Sequence, residues 1–267
     1  MISKFKSRQT AFLFALIISI SGCSKQQFEE KDFNKIFDEQ NVDGCFILYD
    51  LKNESTIKYN LEKCNTGFLP ASTFKIAHTL IAMELGIIPD TSFTLKWDGT
   101  KRFADVWNKD HNLSSALKYS VVWYYEEIGK RVGNERMAEW LNKIEYGNKD
   151  VSGTYPYWLR GNLRITPNEQ MDFVKKFYFE EPPFKKENIK TVKQILELEQ
   201  TENYKLTAKT GWADFNGESI GWVIGYFETG DNTYLFVTNL TSTDTPKNFA
   251  ALRLQITKEI FKELGLI

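Results

Sequence analysis

Leu69-Pro70-Ala71-Ser72-Thr73-Phe74-Lys75 marks the point where the chain changes period. Before it, Gly44-Cys45-Phe46-Ile47-Leu48-Tyr49 reads as a strand, Asp50 to Ser55 as a turn, and Thr56-Ile57-Lys58-Tyr59 as a second strand, together a hairpin. After it, Ile76, Leu80, Ile81 and Leu85 set the spacing of a helix that starts at Thr73 and ends near Gly86. Pro70 stands just ahead of that helix, where its missing N–H does no harm.

Working outward, Phe33, Ile36 and Phe37 predict a short amphipathic helix upstream. Downstream, helical patterns run over Trp123 to Val132, Glu135 to Ile144, Pro167 to Phe179 and Ile189 to Leu198, with Pro182-Pro183 breaking the run. Strands return at Lys205 to Thr210, Ser219 to Phe227 and Tyr234 to Leu240. A last helix, from about Pro246 to Leu264, carries Phe249, Leu252, Ile256, Ile260 and Leu264 on one face. Strands, many helices, strands and a helix, in that order, predict an α+β fold: an antiparallel sheet flanked by helices, with a helical insertion lobe.

The chain has 267 residues, enough for one sizeable core. Lysine plus arginine number 34 against 35 acidic residues, and no basic stripe appears, so nucleic acid is not an expected partner. At the start, Lys4, Lys6 and Arg8 precede an apolar run from Ala11 to Ile20, too short for a membrane span and typical of a signal peptide. Ile20-Ser21-Gly22-Cys23 resembles a bacterial lipobox, which implies a lipid on Cys23; the alternative is an ordinary signal peptide cleaved near a free cysteine. The expected organisation is a leader over 1–22, a tether over 23–31 and a catalytic domain over 32–267. The membrane then meets the protein only through that N-terminal anchor, in the periplasm or on the outer membrane of a bacterium. In such an oxidising compartment a disulfide could join Cys45 and Cys64, but the sequence does not fix whether their Cα atoms come close enough.

Ser72 and Lys75 stand at i and i+3, on one face of a helical start. A serine hydroxyl is weak until a base takes its proton. A lysine can serve once burial holds its amine neutral. Lys209-Thr210-Gly211 ends a predicted strand; its cation and hydroxyl suit a substrate carboxylate, and its glycine permits close backbone approach. Taken singly, each motif is as well read as a helix start or a strand end. Together and in order they form a known catalytic set. His78 and His111 lack ligand partners at usable spacing, so no metal is expected.

At these residues the chain resembles the class D β-lactamases, the oxacillinases. Pro70-Ala71-Ser72-Thr73-Phe74-Lys75 is similar to that family's nucleophile motif, Ser120-Val121-Val122 to its S-x-V motif and Tyr146-Gly147-Asn148 to its Y-G-N motif. Lys209-Thr210-Gly211 matches its third wall. Tyr157-Trp158-Leu159 followed by Leu163-Arg164-Ile165 resembles its tryptophan segment. The likeness runs from about Gly44 to the C-terminus.

The resemblance implies a β-lactamase/transpeptidase-like fold and hydrolysis of the amide bond of β-lactam antibiotics. It implies that Ser72 is acylated. It further implies that Lys75 is carboxylated by CO2 or bicarbonate to N6-carboxylysine, the general base, with no other cofactor. Trp158 would hydrogen-bond that carbamate and Val122 would wall its pocket. Ser120 would relay a proton between Lys75 and Lys209. The backbone N–H groups of Ser72 and Trp212 would form the oxyanion hole. Thr210, Gly211 and Arg253 would hold the substrate, the arginine at its carboxylate, and Asn148 would close the site from a loop. The alternative is a β-lactam sensor or penicillin-binding domain that acylates without turnover. Sensors of that kind stand behind several membrane spans, so the single leader here favours the hydrolase.

Overall fold

A computed structural model describes residues 28–181 and 183–267. The leader, Cys23 and the first residues of the expected tether lie outside the described residues, as does Pro182.

A seven-stranded sheet forms the centre. Its strands are β1 (Phe28–Glu30), β2 (Asp43–Asp50), β3 (Ser55–Tyr59), β6 (Glu197–Gln200), β7 (Tyr204–Phe215), β8 (Glu218–Thr229) and β9 (Thr233–Ser242), in the spatial order β1-β3-β2-β9-β8-β7-β6. A small separate pair, β4 (Thr94–Leu95) and β5 (His111–Asn112), sits in the long connection between the third and fourth α-helices of the chain. The predicted hairpin forms as β2 and β3, with Phe46 opposite Tyr59 and Asp50 opposite Ser55.

Both faces of the sheet are covered. Side chains alternate along a strand, so in β2 Cys45 and Ile47 enter one core while Phe46 and Leu48 enter the other. That two-sided burial is why β2 reads as an unbroken apolar run rather than an alternating one. One face is covered by α1 (Asn34–Asp38) and α9 (Phe249–Glu263), which contribute Phe33, Ile36, Phe37, Phe249, Leu252, Ile256 and Ile260. The other carries the helical lobe: α2 (Leu61–Cys64), α3 (Lys75–Glu84), α4 (Leu113–Lys118), α5 (Val122–Val132), α6 (Asn134–Ile144), α7 (Pro167–Tyr178) and α8 (Lys186–Ile195). Helix α3 is the lobe's buried axis; Lys75 through Ala82 are all buried. A helix apolar all round belongs inside, and Lys75, His78 and Thr79 are the buried polar exceptions.

Four expectations need correction. The tether does not extend to residue 31: Phe28–Glu30 pairs in parallel with β3, so the sheet is mixed at this edge rather than antiparallel throughout. Phe-Glu-Glu has no apolar alternation to announce it; the edge is held by ladder bonds and by Lys58 lying 5.1 Å from the Phe28 ring. Helix α8 stops at Ile195, and the residues read as its tail become β6, paired with β7 through a bulge. Strand β7 does not stop at Thr210 but runs through Gly211 to Phe215. Finally, Ser72 lies not in an α-helix but in a 3-10 turn, Ala71–Phe74, that opens into α3.

Candidate active site

The 3-10 turn explains the Ser72–Lys75 pair better than an α-helix does. With three residues per turn, i and i+3 eclipse each other. The Nζ of Lys75 accordingly donates to Oγ of Ser72 at 2.8 Å. The turn is anchored on every side. Ala71 N–H donates to Trp158 O at 3.0 Å and Trp222 Nε1 donates to Leu69 O at 2.9 Å. Thr73 Oγ1 bridges from Gln170 Nε2 to Pro70 O, at 2.7 and 2.6 Å. Ala71 is held at φ +50°, a left-handed value that alanine adopts only under such constraint.

Strand β7 forms the facing wall. β6 pairs with it only as far as Thr207, so from Lys209 onward that edge of β7 carries no strand and runs beside the 3-10 turn. Gly211 makes the approach possible. A Cβ there would stand 3.2 Å from Pro70 O, 3.3 Å from the Ala71 Cβ and 3.3 Å from the Ser72 nitrogen. The glycine read as a strand terminator is instead the point where two backbones pass at contact.

Ser120 sits between α4 and α5 at φ +55°, and Val122 heads α5, half-buried. Lys209 Nζ donates to Ser120 Oγ at 2.5 Å and to Thr210 O at 3.0 Å. Arg253, on α9, donates to Gly211 O at 2.5 Å and to Ala250 O through Nη2 at 2.9 Å. Its helix register is therefore fixed by the β7 backbone, and its guanidinium lies 6.0 Å from the Trp212 ring.

Three basic side chains share little solvent. Burial, and then the charge of Lys209, hold the Lys75 amine well below the usual lysine range. Lys209 is lowered to about 7 by burial and by the Arg253 charge. Arg253 is lowered to about 10 by burial. His78, buried among Phe74, Tyr125 and Trp158, is lowered to about 3 by burial and then by Lys75, and is neutral at ordinary pH. Beside this group the Trp158 indole N–H is fully buried and meets no acceptor. An orphaned buried donor is costly, and a carboxylate-like group on the neighbouring lysine has the acceptor chemistry that it lacks.

Ser72, Ser120, Val122, Thr210, Trp212 and Arg253 line one cavity of about 720 Å³. Lys75, Trp158 and Lys209 are buried beside it. Thus every residue expected at the site is brought to one place, except Asn148. That side chain faces away, bonding Asn162 O and the Arg164 N–H, while Gly147 at φ +51° packs on Arg164 O. The Y-G-N segment braces the stretch beyond Trp158 and does not close the site. Cavity residues that the sequence did not announce are Phe103, Lys118, Tyr119, Arg160 and Ala213. Lys118, Tyr119 and Arg160 each lie within two residues of Ser120 or Trp158, the one signal that could have found them. His111 is in β5, bonded to Ser115 Oγ and Val106 O. Cys45 and Cys64 are free and buried, their thiols in contact.

The comparisons agree with this geometry. Residues 24–264 match the penicillin-binding protein transpeptidase domain. The chain is 38% identical over 258 residues, 96% of each chain, to β-lactamase OXA-48 of Klebsiella pneumoniae. It superposes with a TM-score of 0.82 at 41% identity on FUS-1 (OXA-85), a class D β-lactamase of Fusobacterium nucleatum, covering 88% of this chain and 97% of that one. It also superposes at 0.84 and 35% identity on the C-terminal domain of the Bacillus licheniformis BlaR penicillin-receptor, covering 90% and 97%. A penicillin-binding fold, a serine–lysine pair under a cationic cavity and near-full-length likeness to these enzymes place the chain in the class D β-lactamase family.

Proposed function

We propose that this protein hydrolyses the amide bond of β-lactam antibiotics through an acyl-enzyme on Ser72, and so confers resistance to them. The observation that carries the reading is Ser72 Oγ held 2.8 Å from a buried Lys75 amine, whose pKa burial lowers well below the usual lysine range, beside an indole N–H without an acceptor. Among the described residues lining the cavity, Asp214 is the one carboxylate, and its Oδ1 is engaged by Trp212 Nε1 and Ser219 Oγ. Among the described residues lining the cavity, no carboxylate is in hydrogen-bond contact with Ser72 or Lys75.

A carbamate on Nζ of Lys75, formed from dissolved CO2, would supply the anion that accepts the Ser72 proton and later that of the hydrolytic water. Trp158 would orient it, and Val122 would limit water beside it. Ser72 Oγ attacks the lactam carbonyl carbon. The N–H groups of Ser72 and Trp212 take up the developing oxyanion charge. The ring C–N bond breaks, Ser120, fed by Lys209, delivers a proton to the leaving nitrogen, and the proton held by the carbamate passes back through Ser120 to Lys209, which frees the carbamate for the hydrolytic water. Thr210 and Arg253 hold the carboxylate shared by these substrates, Gly211 leaving room for it beside the turn. Water then cleaves the ester and restores Ser72. Export through the leader, with a lipid on Cys23, would place the enzyme where the antibiotics arrive.

Turnover of a chromogenic cephalosporin tests the reading; many product molecules per enzyme are expected. The likeness to a penicillin-receptor domain supports a second reading, acylation without release. A single stoichiometric burst with a stable adduct would establish that one instead. Labelled palmitate incorporation that persists in Cys23→Ala would show that the lipid is not on Cys23.

A further inference from the structure

The cavity above Ser72 carries more positive charge than one substrate carboxylate requires. Arg253 and Lys209 stand on the β7 side. On the helical-lobe side the same cavity is lined by Lys118, in the last turn of α4, and by Arg160, two residues beyond Trp158. Both are exposed, and among the described residues neither is ion-paired. Nearby Lys96 and Arg102, by contrast, are bound to Asp110 and Asp98. The cavity's single lining carboxylate, Asp214, is turned to Trp212 and Ser219.

Lys118 has a structural use at a helix C-terminus, where a cation complements the dipole. Arg160 has none: it sits in a turn after Trp158, its backbone N–H on Pro156 O and its side chain without a protein partner. At the same rim Phe103 is 90% exposed and packs edge-on against Trp107 at 5.0 Å. An aromatic left that open beside a cavity offers a face to a ligand.

We propose that Lys118 and Arg160 form a second anion subsite, which recognises a carboxylate on the acylamino side chain of the β-lactam, while Phe103 and Trp107 take that side chain's aryl group. The preferred substrates are then dianionic aryl β-lactams. The inference rests on the reading of Ser72 as a β-lactam-acylated nucleophile and adds a substrate class to it.

Carbenicillin and benzylpenicillin differ by one α-carboxylate, so their ratio isolates the subsite. Acylation efficiency is measured on the full chain by competition with a fluorescent penicillin, which works whether or not the acyl-enzyme is released. The unaltered protein is expected to favour carbenicillin, and the preference to fall in about 1 M salt, where screening reaches to roughly 3 Å. Arg160→Gln should lower carbenicillin acylation about ten-fold relative to benzylpenicillin, as for loss of a charge-assisted contact. Lys118→Gln should act in the same direction, and Arg160→Lys should keep most of the preference. A ratio unmoved by Arg160→Gln and by salt overturns the subsite while leaving the nucleophile intact. Absence of acylation by either compound overturns both.

Discussion

Lys209 and Ser120 are joined by a 2.5 Å hydrogen bond that spans the cavity from β7 to the α4–α5 junction. If Lys209 supplies the leaving-group proton through Ser120, the two act as one unit. Each alanine variant should lose about 100-fold or more in kcat/KM. The double variant should lose little beyond the worse single one, because members of one relay are not additive. Steady-state kinetics of the three variants decides; additive losses would separate the two roles.

Trp158→Phe removes the unpartnered indole N–H and keeps most of the ring. If a carbamate on Lys75 is the base, it is less well held in this variant, which should need more bicarbonate for full activity and accumulate acyl-enzyme, visible by mass spectrometry. In the unaltered protein, lowering the pH protonates the Lys75 amine, which cannot then bind CO2. Activity lost on the acid side should therefore return with added bicarbonate. Activity indifferent to bicarbonate, with no labelled carbamate carbon by NMR, contradicts the base assignment.

Lys209→Met should stabilise the protein while abolishing its activity. The unfolded lysine takes its proton near pH 10.5, the folded one near 7. Between those values the unfolded state holds more protons, so stability rises with pH across that window and the penalty is fullest at and below pH 7. Relieving it is worth up to roughly 5 kcal/mol. The gain in Tm over the unaltered protein should be largest at pH 7 and shrink towards pH 10. A gain independent of pH would mean that packing, not charge, is responsible.

Gly211→Ala places a methyl 3.2–3.3 Å from the backbone of the nucleophile turn. The turn must shift by a few tenths of an ångström. An about ten-fold or larger loss of kcat/KM is expected, since small misplacements at reacting atoms are expensive, with a Tm change of only a few degrees. An active Gly211→Ala enzyme would show that the two backbones are free to part.

Much of this site is legible in the sequence because its chemistry is carried by short motifs with fixed spacing. Ser72 and Lys75 are three residues apart, and Lys209, Thr210 and Gly211 are contiguous. The α+β order follows from local signals that survive without tertiary context, such as the continuous apolar run of β2 and the one-faced apolar period of α9. What escaped depends on contacts between distant segments. Gly211 reads as a terminator until its neighbour across the gap is known. Asn148 reads as a site residue, but its amide is taken by the backbone of Asn162. Phe28–Glu30 has no pattern of its own and becomes a strand only because β3 offers an edge. Phe103 and Arg160 reach the cavity through loops whose paths no local period encodes.

Packing Lys75, Lys209 and Arg253 around one pocket sets fitness against robustness. Under the proposed function, drift towards apolar residues at these positions would make the protein sturdier and idle, so selection for that function is what would keep these basic residues there. The sheet core buried on both faces is the part of the fold that can offset their burial. Variants that broaden activity by opening the cavity would draw on that same reserve, and are expected to persist only when accompanied by compensating changes far from the site, in the core beneath α9.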